Sequence, residues 1–317
     1  MRILFLGTGE IGLPTLRSLL ADPAHTVVGC VTQPDKPVGR RQELQAPEVK
    51  TVALSAGIPV FQPERVRAAE ALDELRKLAP DVIVVVAYGQ ILPRPLLEMP
   101  RVACLNLHAS LLPRHRGASP IHAAIEAGDR ETGMTVMYMA EGLDAGDVLL
   151  KKAIPIRRRE TAGTLHDRLA EIGPAALREA LCLLETGAAP RIPQDPAQVT
   201  YAGKLGREHG RIDWGAGCVE VERKIRAMNP WPAAHTVLPA GGGCKVLKLF
   251  RAIAVRRSGG HPGSVLQAGP NGLLVAAGAG SVLLREVQLE GKKRMEAGEF
   301  LRGHGIEPGT QLGGEPR

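Results

Sequence analysis

The chain is poor in aromatic residues and in cysteines. Its 317 residues include two tryptophans, three tyrosines and four phenylalanines, so aromatic side chains make up only 3% of the sequence. Five cysteines are scattered along the chain, and no two of them form a Cys-x-x-Cys pair. Their number and spacing therefore indicate neither a disulfide framework nor a zinc site. This cysteine usage fits a reducing cytoplasm, where we expect the protein to act.

Long hydrophobic runs are also missing from the sequence. No segment approaches the roughly 18 apolar residues that a membrane helix needs. Arg2 to Leu6 reads as a strand, and the pattern of a signal peptide is not seen before it. Hydrophobic residues nevertheless make up 44% of the chain, which is enough for one large or two ordinary domains.

Positive charge is concentrated in the last third of the chain. The net charge is +7, and residues 206–317 hold 16 Lys and Arg against 10 Asp and Glu. Residues 1–205 hold 24 against 23, so nearly all of the excess lies toward the C-terminus. Such asymmetry indicates a polyanionic partner, although a basic surface kept for solubility is the alternative.

The residues from Leu105 to Asp129 say most about function. The apolar run Val102 to Leu107 predicts a buried strand. Alternate side chains of a strand share a face, so we expect Asn106 and His108 to lie side by side at its end, where α/β sheets bind ligands. An amide N–H can stabilise an oxyanion and an imidazole can transfer a proton, which indicates carbonyl transfer. The alternative is that both side chains merely satisfy hydrogen bonds at a strand end.

A longer motif surrounds these two residues. It reads Asn-x-His-x-Ser-Leu-Leu-Pro and leads to an Arg-Gly pair, at Asn106, His108, Ser110, Leu111, Leu112, Pro113, Arg116 and Gly117. The motif resembles the signature of the 10-formyltetrahydrofolate-dependent formyltransferases. The run from Arg116 to Ile121 is most similar to family members that act on transfer RNA. Sugar-nucleotide formyltransferases usually carry a further arginine where Ala118 stands here.

The resemblance implies a set of site residues. It assigns catalysis to Asn106, His108 and Asp144, with Asp144 orienting the His108 imidazole. It implies 10-formyltetrahydrofolate as co-substrate and no metal ion. The positions implied to bind the folate are Ser110, Leu111, Leu112, Pro113, Tyr88, Gly89, Gln90 and Ile91.

The resemblance also implies a transfer-RNA partner, with the α-amine of methionine on initiator transfer RNA as acceptor. The polar stretch Gln33 to Ala46 contains two prolines and a glycine, which indicates a loop. It is similar to a family loop that contacts the acceptor arm, so Arg40 and Arg41 are implied RNA contacts. The usual lysine-rich continuation is replaced by Gln42 and Glu43. In the C-terminal region the candidate phosphate contacts are Lys292, Lys293 and Arg294.

Three other functions stay open. Gly7 to Gly12 matches Gly-x-Gly-x-x-Gly between a strand and a helix, where a dinucleotide fingerprint would lie. That fingerprint also needs an acidic residue at the end of the second strand, and here Asp35 comes only after a proline. An NAD-dependent oxidoreductase is thus one alternative, and a formyltransferase acting on a small nucleotide or amino-sugar amine is another. The third is a non-catalytic RNA-binding protein, which would keep the basic C-terminal domain and have no use for Asn106, His108 and Asp144 together.

Three histidines recur at a spacing of seven residues. His108, His115 and His122 span a predicted strand, loop and helix, so the spacing does not place them on a common face or indicate a metal site. We expect His115 and Arg114 to line the cleft or to face solvent.

The predicted elements indicate an α/β chain, with a doubly wound Rossmann-like N-terminal domain followed by an OB-like β-barrel. Asp81 to Ala87 is typical of a strand buried on both faces. From Ala234 onward, short apolar runs alternate with glycine-rich turns. We expect a catalytic domain at 1–186, a linker at 187–205 and a basic RNA-binding barrel at 206–317. We also expect a monomer, with the tail after Pro308 disordered.

Overall fold

The computed structural model describes residues 1–38, 42–240, 243–257 and 259–314. The chain forms two compact units. The first comprises Met1–Pro120, Glu131–Pro155 and His166–Ala202, and the second comprises Ile121–Arg130, Ile156–Leu165 and Gly203–Arg317. The segment predicted as a linker therefore belongs to the first unit as far as Ala202.

Strands and helices alternate in the first half of the chain, and strands dominate the second. The strands are β1 (Arg2–Gly7), β2 (Thr26–Val31), β3 (Lys36–Val38), β4 (Glu43–Gln45), β5 (Val60–Phe61), β6 (Val82–Val86), β7 (Ala103–His108), β8 (Arg116–Gly117), β9 (Glu131–Tyr138), β10 (Val148–Pro155), β11 (Tyr201–Ala202), β12 (Ala234–Ala240), β13 (Gly243–Val255), β14 (Val265–Gly269), β15 (Gly272–Ala276), β16 (Ser281–Leu289) and β17 (Met295–Glu296). The helices are α1 (Leu13–Ala21), α2 (Glu48–Ser55), α3 (Ala69–Arg76), α4 (Arg94–Leu97), α5 (Pro120–Ala127), α6 (Ala162–Glu185), α7 (Cys218–Ala227) and α8 (Ala297–Gly303). Short 3-10 helices lie at Glu10–Gly12, Pro196–Gln198 and Arg207–Gly210. Within the described ranges, no helix is long and apolar enough to cross a membrane.

The first unit is built on a seven-stranded sheet in the order β10-β9-β7-β6-β1-β2-β5. The five strands from β7 to β5 are parallel, and β9 and β10 continue the sheet in antiparallel pairing. All five residues of β6 are buried, as a parallel strand covered on both faces requires. The predicted doubly wound Rossmann-like fold is confirmed.

The strand order creates a switch point beside β1. From β1 the sheet extends through β2 and β5 on one side and through β6 and β7 on the other. On the two sides of β1 the connections between strands therefore run in opposite directions, and this leaves a crevice at the carboxyl ends of the strands. That edge carries Gly7, Ala87 and His108, the residues at or just beyond the ends of β1, β6 and β7.

The polar stretch from Gln33 to Ala46 is not purely a loop. Its two ends form an antiparallel hairpin, in which Lys36 of β3 pairs with Gln45 of β4. Lys50 Nζ lies 2.8 Å from an Asp35 carboxylate oxygen, next to the base of this hairpin. The predicted RNA contacts Arg40 and Arg41 lie outside the described residues.

The second unit contains an antiparallel sheet in the order β12-β13-β16-β15-β14, with β17 paired to β16. The strands β13, β14, β15 and β16 all lie in the region beyond Ala234 where short apolar runs alternate with glycine-rich turns. The predicted C-terminal β domain is confirmed, and its strands pair in antiparallel fashion.

The prediction of a disordered tail after Pro308 is wrong for residues 309–314. Thr310 O accepts from Val265 N–H in β14 at 2.8 Å, and Gly313 N–H donates to Val237 O in β12 at 2.9 Å. Leu312 between them is only 2% exposed. The tail is ordered because it pairs with the two end strands of the sheet and buries an apolar side chain.

Candidate active site

Three polar side chains meet near the carboxyl end of β7. Asn106 and His108 lie on the same face of this strand, and both approach Asp144 in the loop between β9 and β10. Asn106 Nδ2 lies 3.4 Å from Asp144 Oδ1, and His108 Nδ1 lies 3.5 Å from Asp144 Oδ2. The structure thus brings together the three residues that the sequence singled out.

A main-chain contact also holds the Asp144 carboxylate. Gly117 N–H donates to Asp144 Oδ2 at 2.7 Å. Gly117 has φ +115, and a Cβ atom there would lie 2.5 Å from Ala202 O, so only glycine fits. Asp144 itself has φ +48, a left-handed conformation that aspartate adopts more readily than most residues. Its side chain is 13% exposed, so the carboxylate keeps limited access to the cleft.

The two nitrogens of His108 face different acceptors. Nε2 lies 2.9 Å from His115 O, and a carbonyl oxygen can only accept, so Nε2 carries a hydrogen. In the neutral imidazole, Nδ1 would then turn a lone pair toward the Asp144 carboxylate. A proton between Nδ1 and Asp144 removes this repulsion. Burial lowers the pKa of His108, and the negative charge of Asp144 opposes that shift.

Arg114 faces solvent, as one of the two predicted alternatives had it, whereas His115 does not. The His115 side chain is only 6% exposed. His115 has φ +59, which turns its carbonyl toward His108, and its N–H donates to Thr200 Oγ1 at 2.8 Å. Its main chain therefore orients the His108 ring, which the seven-residue histidine spacing did not suggest.

The turn from Ser110 to Pro113 is held by internal hydrogen bonds. Ser110 Oγ donates to Arg114 O at 2.6 Å. Thr135 of β9 accepts from Leu112 N–H at 3.2 Å and donates to Ser110 O at 2.6 Å. Leu112 is fully buried. The turn is fixed before any ligand arrives, and Thr135 is a supporting residue that sequence reasoning missed.

In the loop at Tyr88 to Ile91, the side chain that is mainly exposed to solvent is that of Ile91. Tyr88 is 2% exposed in the core, and burial raises its pKa to about 12. The Gln90 side chain accepts from Val66 N–H and donates to the carbonyl of Pro63. Ile91, in contrast, is 89% exposed. A ligand at this loop would therefore meet its backbone and Ile91 rather than the phenol or the amide.

The glycine-rich turn after β1 is occupied by protein contacts. The N–H groups of Thr8 and Gly9 both donate to Ala87 O, at 3.3 and 3.2 Å. In a dinucleotide site such N–H groups cradle the pyrophosphate. Asp35 binds Lys50 and Gln62, and these hydrogen bonds lower the pKa of its carboxyl. The geometry therefore disfavours nicotinamide binding.

The predicted C-terminal RNA contacts have different surroundings. Lys292 and Lys293 are exposed in the turn between β16 and β17. Arg294 donates to both carboxylate oxygens of Glu286 at 2.7 Å and lies 4.1 Å from the ring centroid of Phe250. Its guanidinium lowers the pKa of Glu286. Of the three candidates, the two lysines are thus better placed to meet a phosphate.

Metal-ligating side chains are not clustered in the part of the chain that the structure describes. There, no group of three or more His, Cys, Asp or Glu residues could hold a metal ion.

Comparison with known families accounts for most of the chain. The family model described as "Formyl transferase" matches residues 1–181, and "Formyl transferase, C-terminal domain" matches residues 204–305. The methionyl-tRNA formyltransferase of Geobacter sulfurreducens is 49% identical over 313 residues, covering 99% of this chain and 97% of that protein. The protein of the same name from Methylacidiphilum infernorum is 47% identical, covering 99% and 98%.

Solved structures at lower identity share the fold. HypX from Aquifex aeolicus in complex with tetrahydrofolic acid superposes with a TM-score of 0.60 at 22% identity, over 98% of this chain and 50% of that chain. An N-formyltransferase from Helicobacter canadensis in complex with folinic acid and dTDP-3-aminofucose has a TM-score of 0.65 at 16% identity, over 89% and 98%. Both domain models and the near full-length relatives lead to one conclusion: this chain belongs to the formyl transferase family.

Proposed function

We propose that this protein transfers the formyl group of 10-formyltetrahydrofolate to the α-amine of methionine on initiator transfer RNA. The observation that carries the proposal is the convergence of Asn106 and His108 on Asp144 at the carboxyl edge of the sheet. The chain that presents this cluster is matched over 99% of its length by proteins named methionyl-tRNA formyltransferase.

The reaction needs a donor for an oxyanion. The amine nitrogen attacks the formyl carbon, a C–N bond forms, and the carbonyl oxygen becomes negatively charged. Asn106 Nδ2 has two hydrogens, and Asp144 accepts only one of them, over a long 3.4 Å contact. We assign the second N–H of Asn106 to the oxyanion. Loss of such a donor typically slows the reaction about 10²- to 10³-fold.

The His108–Asp144 pair supplies charge and a route for the proton. Both nitrogens of His108 face protein acceptors, so its positive charge acts on the oxyanion through space rather than through a direct hydrogen bond. Asp144, at 13% exposure against 6% for His108, is the more accessible member of the pair. It takes the proton that the amine loses and returns one to N10 of the folate as the old C–N bond breaks. Formylated methionyl transfer RNA and tetrahydrofolate leave, and the pair is left in the protonation state in which it began.

The folate is held mainly by backbone and by shape. Ser110 Oγ and the Gln90 amide already bind main-chain atoms, and Leu112 and Tyr88 are buried. These positions therefore define the walls of the site and leave the exposed Ile91 to cover the ligand.

The acceptor RNA is bound through its phosphates. The basic excess in residues 206–317, with Lys292 and Lys293 exposed, supports this part of the proposal, and Arg40 and Arg41 are assigned the same task. We propose that the protein works as a monomer in the cytoplasm, where initiator transfer RNA is charged.

The test is a formylation assay with three acceptors. Methionine-charged initiator transfer RNA should be formylated from 10-formyltetrahydrofolate, while uncharged RNA and free methionine should not. Asn106→Ala, His108→Ala and Asp144→Ala should each lose transfer by at least about 10²-fold while still unfolding cooperatively. Near-normal rates in all three variants would refute the site assignment. Transfer only to a dTDP-linked amino sugar would refute the proposed acceptor and keep the formyl chemistry.

A further inference from the structure

The proline-rich segment after α6 contacts the loops of the candidate active site. We call residues 192–202 the strap; it lies in the first compact unit. It begins where Ile192 and Val148 exchange two main-chain hydrogen bonds, at 2.8 and 3.0 Å. This contact fixes the strap against the first residue of β10, immediately after the loop that carries Asp144.

Gln194 connects this loop to the signature motif. Its Nε2 donates to Asp144 O and to Gly146 O, both at 2.8 Å. Its Oε1 accepts from Arg116 Nε at 3.1 Å and from Arg116 Nη2 at 2.8 Å. One partly buried amide thus uses both hydrogens and its oxygen to join Arg116 to the backbone of Asp144.

The end of the strap holds the second loop of the site. Thr200 Oγ1 accepts from His115 N–H at 2.8 Å, and Thr200 O accepts from Arg116 N–H at 2.9 Å. Two residues later, β11 pairs in parallel with β8, so that Ala202 lies opposite Gly117. These contacts orient the His115 carbonyl that accepts from His108, and the Gly117 N–H that donates to Asp144.

The strap stabilises two residues whose backbone conformations are energetically unfavourable for residues other than glycine. Asp144 and His115 have φ values of +48 and +59. Non-glycine residues in this region persist only where surrounding contacts determine their conformation. Gln194 binds the carbonyl of the first, and Thr200 binds the N–H of the second.

We infer that Gln194 is a positioning residue for formyl transfer, acting through the backbone of Asp144. The inference rests on the proposed role of the Asp144 carboxylate. A misplacement of about 1 Å in a reacting group can cost about 100-fold in rate. Gln194 is therefore expected to affect the chemical step and to leave substrate affinity nearly unchanged.

The experiment compares Gln194→Ala and Gln194→Met with Gln198→Ala. Gln194→Met keeps most of the side-chain volume and removes every hydrogen bond. Gln198 is the matched control, since it lies in the same strap and its amide binds Asp195 instead of the site. Both Gln194 variants should lose kcat by about 10- to 100-fold, with KM for folate and RNA within about threefold. Gln198→Ala should keep the parental kcat.

A double-mutant cycle with Asp144→Asn separates positioning from a general structural role. If Gln194 acts through Asp144, Gln194→Ala should slow the Asp144→Asn enzyme by less than about threefold. Equal losses in both backgrounds, or loss of the cooperative unfolding transition in both Gln194 variants, would overturn the inference. If Asp144→Asn were slow while Gln194→Ala kept the parental rate, the inference about Gln194 would be refuted and the proposed function of Asp144 would stand. A normal rate for Asp144→Asn would instead refute the proposed function of the carboxylate, and the inference with it.

Discussion

Replacing Asp144 with asparagine removes one negative charge and leaves the size of the side chain nearly unchanged. In the parent, the carboxylate accepts from Gly117 N–H and Asn106 Nδ2 and lies 3.5 Å from His108 Nδ1. An asparagine has only one oxygen. If that oxygen accepts from Gly117, the new amide nitrogen faces the Asn106 amide, and two donors meet without an acceptor.

The size of the effect follows from the distance between the two charges. Two unit charges 3.5 Å apart interact by about 5 kcal/mol at an effective dielectric constant of about 20. His108 is buried, so little solvent screens this attraction. If the imidazolium is required in the transition state, loss of its attraction to Asp144 corresponds to a rate decrease of about 10³-fold.

The expected pH dependence has a definite sign. Burial lowers the pKa of His108, and Asp144 is the charge that raises it again. The active form holds the proton, so kcat should fall as the pH rises through this pKa. Without the carboxylate the pKa is lower still, so in Asp144→Asn the fall should begin at a lower pH. Residual activity should therefore recover as the assay is made more acidic.

Single-turnover formylation of charged initiator transfer RNA, measured across pH, tests this reasoning. Asp147→Asn provides the control, because Asp147 lies in the same loop and its carboxylate is near Arg191, 3.9 Å away. Asp147→Asn should keep the parental rate within about threefold. A rate for Asp144→Asn within threefold of the parent, or an unchanged pH profile, would refute the argument from charge.

Two further predictions concern the second unit. Lys292→Ala and Lys293→Ala should each reduce the slope of log affinity for RNA against log salt concentration by roughly 1. Arg294→Ala should change this slope less, because the Arg294 guanidinium already binds Glu286. Binding titrations at several salt concentrations measure the slopes, and three unchanged slopes would contradict the prediction. Leu312→Ala should lower the free energy of unfolding by about 2–3 kcal/mol, because it empties a buried site in the tail; urea denaturation would contradict this if the midpoint did not move.

Continuous apolar runs made the central sheet predictable. The apolar run expected at Asp81 to Ala87 contains β6, and the run expected at Val102 to Leu107 overlaps β7 by five residues. Both strands are buried on two faces, so burial leaves few polar positions to confuse the pattern. Asn106 and His108 were identifiable because they interrupt such a run at its end.

Contacts between distant segments were less predictable. The turn at Gly7 to Gly12 satisfies a dinucleotide motif, yet its Thr8 and Gly9 N–H groups donate to the carbonyl of Ala87, which lies 79 and 78 residues further along the chain. The tail at Leu312 looks polar and terminal, yet it pairs with two strands. In both cases tertiary hydrogen bonds, which leave no periodic signal, decide the outcome.

Gln194 shows why supporting residues escape a reading of the sequence. It stands among prolines and small polar residues, a composition typical of a linker, and a single glutamine has no spacing to interpret. Its importance comes from two segments that fold against it: the loop with Asp144 and Gly146 on one side, and Arg116 on the other. A carboxylate can be identified in a sequence by its own chemistry. The residue that positions it can be identified only when the folded backbone around it is known.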